Sequence, residues 1–138
     1  MSEDEKKKLL ALNRLHQAAE SLEEAQYLLA GGKSLRSVAN RIYYAMFYSV
    51  LALLIYEPYT SSKHTGVLAY FNKRFVKGGL FAEAMGRALN KAFELRQRGD
   101  YREYFELSKD QVEPLVSEAA NFVAAVTTYL NEHVGLQK

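Results

Sequence analysis

Apolar positions recur along this chain at the spacing of helices. From about residue 3 to residue 30, Leu9, Leu12, Ala19, Leu22, Ala25 (or Gln26) and Leu29 return every three to seven residues, which predicts one long helix. Gly31-Gly32 then supplies a glycine stop. Ser34 can cap a second helix through about Tyr56, halted by Pro58. After Ile42 that segment is apolar on nearly every face, so it belongs at the centre of the fold. Ser61 or Ser62 can open a third helix through about Val76, closed by Gly78-Gly79. A fourth, from about Leu80 to Arg98, carries Met85, Leu89, Ala92 and Phe93 on one face, with Gly99 as its stop. Ser108 can cap the last helix, with Pro114 near its first turns. Its buried stripe is predicted as Val116, Ala119, Ala120, Val123, Val126 and Leu130. Nothing alternates with the period of a strand. The pattern predicts an all-α, up-and-down helical bundle of four to five helices, one domain over residues 1–138.

Composition narrows the chemistry. The chain has 138 residues, 49% hydrophobic and 25% charged, the balance of a soluble globular domain large enough to bury a core. It has no cysteine, which excludes disulfides, thiolate metal sites and a cysteine nucleophile, and fits a reducing cytosol. The N-terminus, MSEDEKKKLL, has no signal-peptide core, so a cytoplasmic location is expected. The most apolar run, Ile42 to Tyr56, falls short of the roughly 20 residues a membrane span needs. Net charge is +2, but residues 63–102 hold nine Lys and Arg against three Asp and Glu, whereas the rest is acidic by four. A basic middle third could meet an anion such as nucleic acid or nucleotide phosphate, or be a solvated surface with incidental charge.

Candidate chemistry gathers on two predicted helices. Arg41, Tyr44, Tyr48 and Ile55 follow roughly helical spacing, placing a guanidinium beside stacked tyrosines on an apolar rod. Arg41 is either a phosphate contact beside aromatic surfaces or a buried arginine that orients neighbouring helices. On the fourth helix the stripe Met85, Leu89, Phe93 runs on into Arg96, which therefore points coreward, while Arg87, Lys91 and Arg98 share a more exposed face. Arg96 or Arg41 paired with Asp100 would satisfy a buried charge. Arg96 could instead steady the charge that builds on phosphate oxygens during RNA cleavage. His64 lies near the start of the third helix, where the helix dipole disfavours its protonation. It is a nucleic-acid contact, a weak acid–base candidate, or a packing residue. His16, His64 and His133 are too scattered to bind a metal. No phosphate-binding glycine loop or nucleophile elbow is present, and nothing calls for a cofactor.

Three stretches carry a family likeness: SVANRIYYAMFYSVLALL (37–54), SKHTGVLAYFNKRFVKGGL (62–80) and AFELRQRGDYREY (92–104). With the paired signatures R-x-x-Y-A at Arg41 and R-x-x-x-D-Y at Arg96, the chain resembles small stand-alone prokaryotic HEPN-domain proteins, most strongly over residues 34–130. The resemblance implies a homodimer and a minimal nucleotidyltransferase partner, the two proteins forming a toxin–antitoxin pair. Catalytic members are metal-independent endoribonucleases with an R-x(4–6)-H motif. This sequence departs from that motif. No histidine follows any arginine at that distance; after Arg96 those places hold Tyr101, Arg102 and Glu103.

Three functions follow as expectations. The first is an RNA- or nucleotide-binding HEPN protein. Arg41, Arg96, Asp100 and Tyr101 would form its polar cluster, Tyr44, Tyr48 and His64 would be further RNA or nucleotide contacts, and Lys73, Arg74, Arg87, Lys91, Arg98 and Arg102 would attract phosphate. The second is a metal-independent endoribonuclease with a non-standard site, Arg96 acting with Tyr101, Tyr104 or His64. Tyr101 and Tyr104 are also the tyrosines a partner nucleotidyltransferase would modify. The third is a protein-interaction module that uses the apolar central helix and the small residues from Ala119 to Val126.

Overall fold

A computed structural model describes residues 1–61, 63–101 and 106–136. Among them are α1 (Glu3–Ala30), α2 (Leu35–Leu54), α3 (His64–Tyr70) running into a π-helical turn (Phe71–Val76), α4 (Glu83–Asp100) and α5 (Lys109–Val134), with no strand. The chain is an all-α helical bundle. Serines set three of its starts. Ser2 and Ser108 each make a reciprocal capping box, and the Ser34 hydroxyl accepts from the Ser37 N–H.

α2 is the centre, as its apolar run predicts: it packs on α1, α4 and α5. Twelve of its twenty residues are buried, and Ile42, Tyr43, Met46, Val50 and Leu53 carry almost no exposed surface. A second knot of side chains joins the π turn to α5, where Phe71 lies 5.3 Å from Phe122 and Phe81 5.2 Å from Tyr129, centroid to centroid. No helix among the described residues is long and apolar enough to cross a membrane.

The structure revises several boundaries and faces. α1 buries Ala11, Leu15, Ala18, Ser21 and Ala25, while Leu9 and Ala19 of the expected stripe are exposed and Leu12, Leu22 and Leu29 only flank the contact. Small side chains let α1 lie close against α2, a gain that a leucine count along the sequence does not register. α5 is turned likewise: Val112, Leu115 and Phe122 join Ala119, Val126 and Leu130 inside, and Val116, Ala120 and Val123 sit half-buried. α2 gives way to turns after Leu54, with the Tyr56 and Glu57 N–H groups donating to carbonyls three residues back.

α3 opens at His64 with Lys63 as its uncapped N-terminal neighbour. The Ser61 hydroxyl is instead spent on the Lys63 N–H, and Ser62 lies outside the described residues. The expected helix to Val76 widens at Phe71 into a π turn, in which the Lys77 N–H donates to the Asn72 carbonyl five residues back. Gly79 closes it at φ +79°. α4 begins three residues late, because the Leu80 and Phe81 N–H groups are held by the Phe75 carbonyl. It also runs through Gly99 to Asp100. Gly99 is no stop: its bare backbone lies against the aliphatic stem of Arg36, where an added Cβ would sit 3.2 Å from Cγ.

Candidate functional site

The start of α2 and the end of α4 meet around one tyrosine. The Arg41 and Arg96 guanidiniums each lie 5.3 Å from the Tyr44 ring centre, and Arg96 is also 5.4 Å from that of Tyr43. The arginines of the two signatures thus come together within a single bundle. One turn earlier on α2, Arg36, Ser37 and Asn40 complete a cleft of about 250 Å³, with Leu28 of α1 and Asp100 of α4 at its edges.

Charge within the cleft is unevenly matched. Asp100 pairs with neither Arg96 nor Arg41, as the sequence had suggested, but faces Arg36 at 3.8 Å. Because α4 continues past Gly99 and packs on the Arg36 stem, its last turn delivers Asp100 to α2's first turn instead. Arg41 donates twice to the Asn40 carboxamide oxygen (3.1 and 2.7 Å) and pairs with Glu24 of α1 at 3.3 Å. Arg96 differs. It has no hydrogen bond or ion pair among the described residues, its Nε is buried without a partner, and two tyrosine faces are its neighbours. Such a donor forgoes roughly 1–3 kcal/mol unless something accepts from it.

Beside Arg96 stands a histidine. His64, the first residue of α3, stacks on Phe47 at 4.3 Å and meets Tyr44 edge-on, and its Nδ1 lies 2.8 Å from the Tyr43 hydroxyl. Burial lowers its pKa from 6.5, and the Arg96 charge lowers it further; burial raises that of Tyr43. At neutral pH the pair is therefore a neutral imidazole and a phenol. No spacing rule along the chain finds this histidine, since it arrives on a separate helix.

The His64 ring should accordingly titrate below 6.5 in an NMR pH series, and move up toward 6.5 in Arg96→Met. The unfolded chain takes its proton first as pH falls, so this group's contribution to stability is complete above 6.5 and is lost as pH drops through the lowered value. Titration at or above 6.5 would contradict the geometry.

Comparison with known proteins agrees with this architecture. Residues 11–131 match the profile of the HEPN domain. The chain belongs to the HEPN family. A UPF0332 protein of Thermotoga maritima is 40% identical over 129 residues, covering 94% of this chain and 96% of its own. Two Methanocaldococcus jannaschii proteins, both described as candidate toxins, are similar as well. One is 34% identical over 86% of this chain and 81% of its own, the other 32% identical over 88% and 90%.

The other residues singled out from the HEPN sequence lie apart from the cleft lining. Tyr48 continues the aromatic row beyond Tyr44 at 5.7 Å. Arg74 pairs with Glu57 (3.0 Å), Arg87 with Glu83 (3.8 Å), and Lys91 and Arg98 both with Glu94 (3.8 and 2.8 Å). Of these partners only Glu57 lies outside residues 63–102, so the pairs leave most of the charge excess read from that segment in place. Lys73 is exposed on the π turn, and Tyr101 is exposed just past α4. Arg102 and Tyr104 lie outside the described residues. Among those described, no cluster of three His, Asp or Glu side chains could hold a metal ion. Sequence reasoning missed Arg36, Ser37, Asn40 and Tyr43. The first three are found by following the Tyr44 face back along α2, four, seven and eight residues earlier.

Proposed function

We propose that this HEPN protein binds RNA or nucleotide phosphate in the α2–α4 cleft and serves as the toxin-like half of a pair with a minimal nucleotidyltransferase, acting as a homodimer. The observation that carries this is the Arg96 guanidinium, which among the described residues has no carboxylate partner and keeps a buried, unpartnered Nε–H beside the cleft. A purely structural arginine at this depth needs an anion or carbonyl. A phosphate oxygen is an acceptor of the right charge, and arginine's fixed fork of donors suits it. Asn40 spends its oxygen on Arg41 and keeps its amide N–H groups as further donors. Kinship to two candidate toxins supports the toxin-like role.

A second reading, metal-independent cleavage, is favoured by His64. Its neutral imidazole stands in the field of Arg96, as a proton acceptor beside a phosphate-binding guanidinium requires.

Titration of labelled structured and single-stranded RNAs at two salt concentrations, without metal, tests both readings on the same samples. Affinity should fall as salt rises, with a log–log slope of roughly −0.7 per phosphate neutralised on single strands. Salt-insensitive affinity, or none, would remove the phosphate-binding reading and move the weight to a protein-interaction role. Cleavage would promote His64 from bystander to base.

A further inference from the structure

The cleft does not end at Leu28. That residue also lines a second groove of about 390 Å³ on α1, formed with Glu20, Glu23, Glu24 and Tyr27. The two are tied by the Arg41–Glu24 pair at 3.3 Å. Their chemistry is opposite. Three glutamates repel a phosphate backbone, so the chain of a bound nucleic acid is turned away from the second groove. What the groove offers is an aromatic face, since Tyr27 is 76% exposed, the most exposed large hydrophobic among the described residues. Beside it stands a carboxylate without a partner. Glu24 is held by Arg41 and Glu20 faces His16 at 3.6 Å, but Glu23 has neither an ion pair nor a hydrogen bond among the described residues. Glu23 and Tyr27 stand four residues apart on α1, hence on one face.

We propose that this groove reads the base of the nucleotide whose phosphate occupies the Arg96 cleft, and that it selects guanine. The inference rests on the phosphate-binding function proposed above. A base stacked on Tyr27 turns its edge toward Glu23. A carboxylate only accepts hydrogen bonds, through two oxygens. Guanine alone among the four bases carries two adjacent donors on its pairing edge, N1–H and the N2 amino group, and so matches it bidentately. Adenine and cytosine set one amino donor beside a ring nitrogen lone pair, and uracil flanks its single N–H with carbonyls. Each of these points a lone pair at the carboxylate.

The test uses the full chain titrated with GMP, AMP, CMP and UMP at low salt, followed by NMR or calorimetry. GMP should bind about tenfold more tightly than AMP, the scale of one bidentate base contact. Glu23→Gln, an exposed change that should leave the helical signal and melting unaltered, should bring GMP and AMP to within about twofold, chiefly by weakening GMP. Tyr27→Ala should weaken all four. Equal binding of the four nucleotides, lost in Arg96→Met, would overturn the base selection and leave the phosphate cleft standing. A guanine preference untouched by Glu23→Gln would overturn the assignment to this groove. No binding of any nucleotide at millimolar concentration would overturn the cleft and the groove together.

Discussion

Arg96→Met should bind RNA at least tenfold more weakly than the parent protein while melting within a few degrees of it. A hydrogen bond to a charged group contributes roughly 1.5–3 kcal/mol, a factor of about ten to a hundred in affinity when phosphate is the acceptor. Stability responds differently because two effects oppose. The substitution removes a buried Nε–H that no described residue accepts, relieving a cost of roughly 1–3 kcal/mol. It also removes the cation–π contacts to Tyr43 and Tyr44, roughly 0.5–2 kcal/mol each according to how dry they are. Methionine keeps the length and flexibility of the arginine stem, so the space stays filled. The net lies within about 1 kcal/mol, a shift of a few degrees at this chain length. Arg87→Met is the control: Arg87 is exposed, lies outside the cleft lining and is paired with Glu83, and its loss should alter neither readout appreciably. If Arg96→Met unfolds, or melts far below the parent, Arg96 is an organiser of α2 and α4, and the phosphate function loses its main support.

Phe71→Ala carries the largest stability effect, a loss of about 3–5 kcal/mol in urea unfolding. Phe71 is wholly buried and packs on Phe75, Phe81 and Phe122 at 5.9, 5.8 and 5.3 Å between centroids. Phe75 and Phe122 are themselves buried, and Phe81 partly so. Against the roughly 5–15 kcal/mol that holds a typical domain together, the variant should stand near the edge of folding. Because the π turn is continuous with α3, whatever native protein remains should show a His64 titration nearer its ordinary value. A loss under 1 kcal/mol would mean that the segment carrying His64 is loosely attached and that the bundle is held by α1, α2, α4 and α5 alone.

Much of the fold could be read directly from the chain, for identifiable reasons. Ser34 and Ser108 cap their helices because a short hydroxyl side chain satisfies N–H groups that are local to it, and local chemistry is written in local sequence. The centrality of α2 was equally plain, since a helix apolar on every side has nowhere else to go. Rotation about the helix axis was not. In α1 and α5, apolar residues cover more than one face, so which stripe turns inward depends on how near the neighbouring backbone can come. Ala11, Ala18 and Ala25 settle that by being small. The site divides in the same way. Arg41 and Arg96 stood out because each interrupts an apolar stripe. Asp100 was assigned the wrong arginine because its direction depends on α4 continuing two residues beyond Arg98. Counting a few residues past each arginine could not find His64, which reaches Arg96 only through the packing of α3 on α2.

The π-helical turn has a consequence for how this chain tolerates change in length. Its Lys73 side chain is exposed, so substitution there should be nearly free. Removing one residue is another matter. A regular helix would form in place of the widened turn, and everything before it would swing by about 100° relative to everything after it. With Phe71 and Phe75 anchored against α5, His64 would leave its stack on Phe47 and its bond to the Tyr43 hydroxyl. Relatives that differ by a single-residue gap between Phe71 and Val76 are thus expected to present a different side chain beside Arg96, however similar their letters on either side.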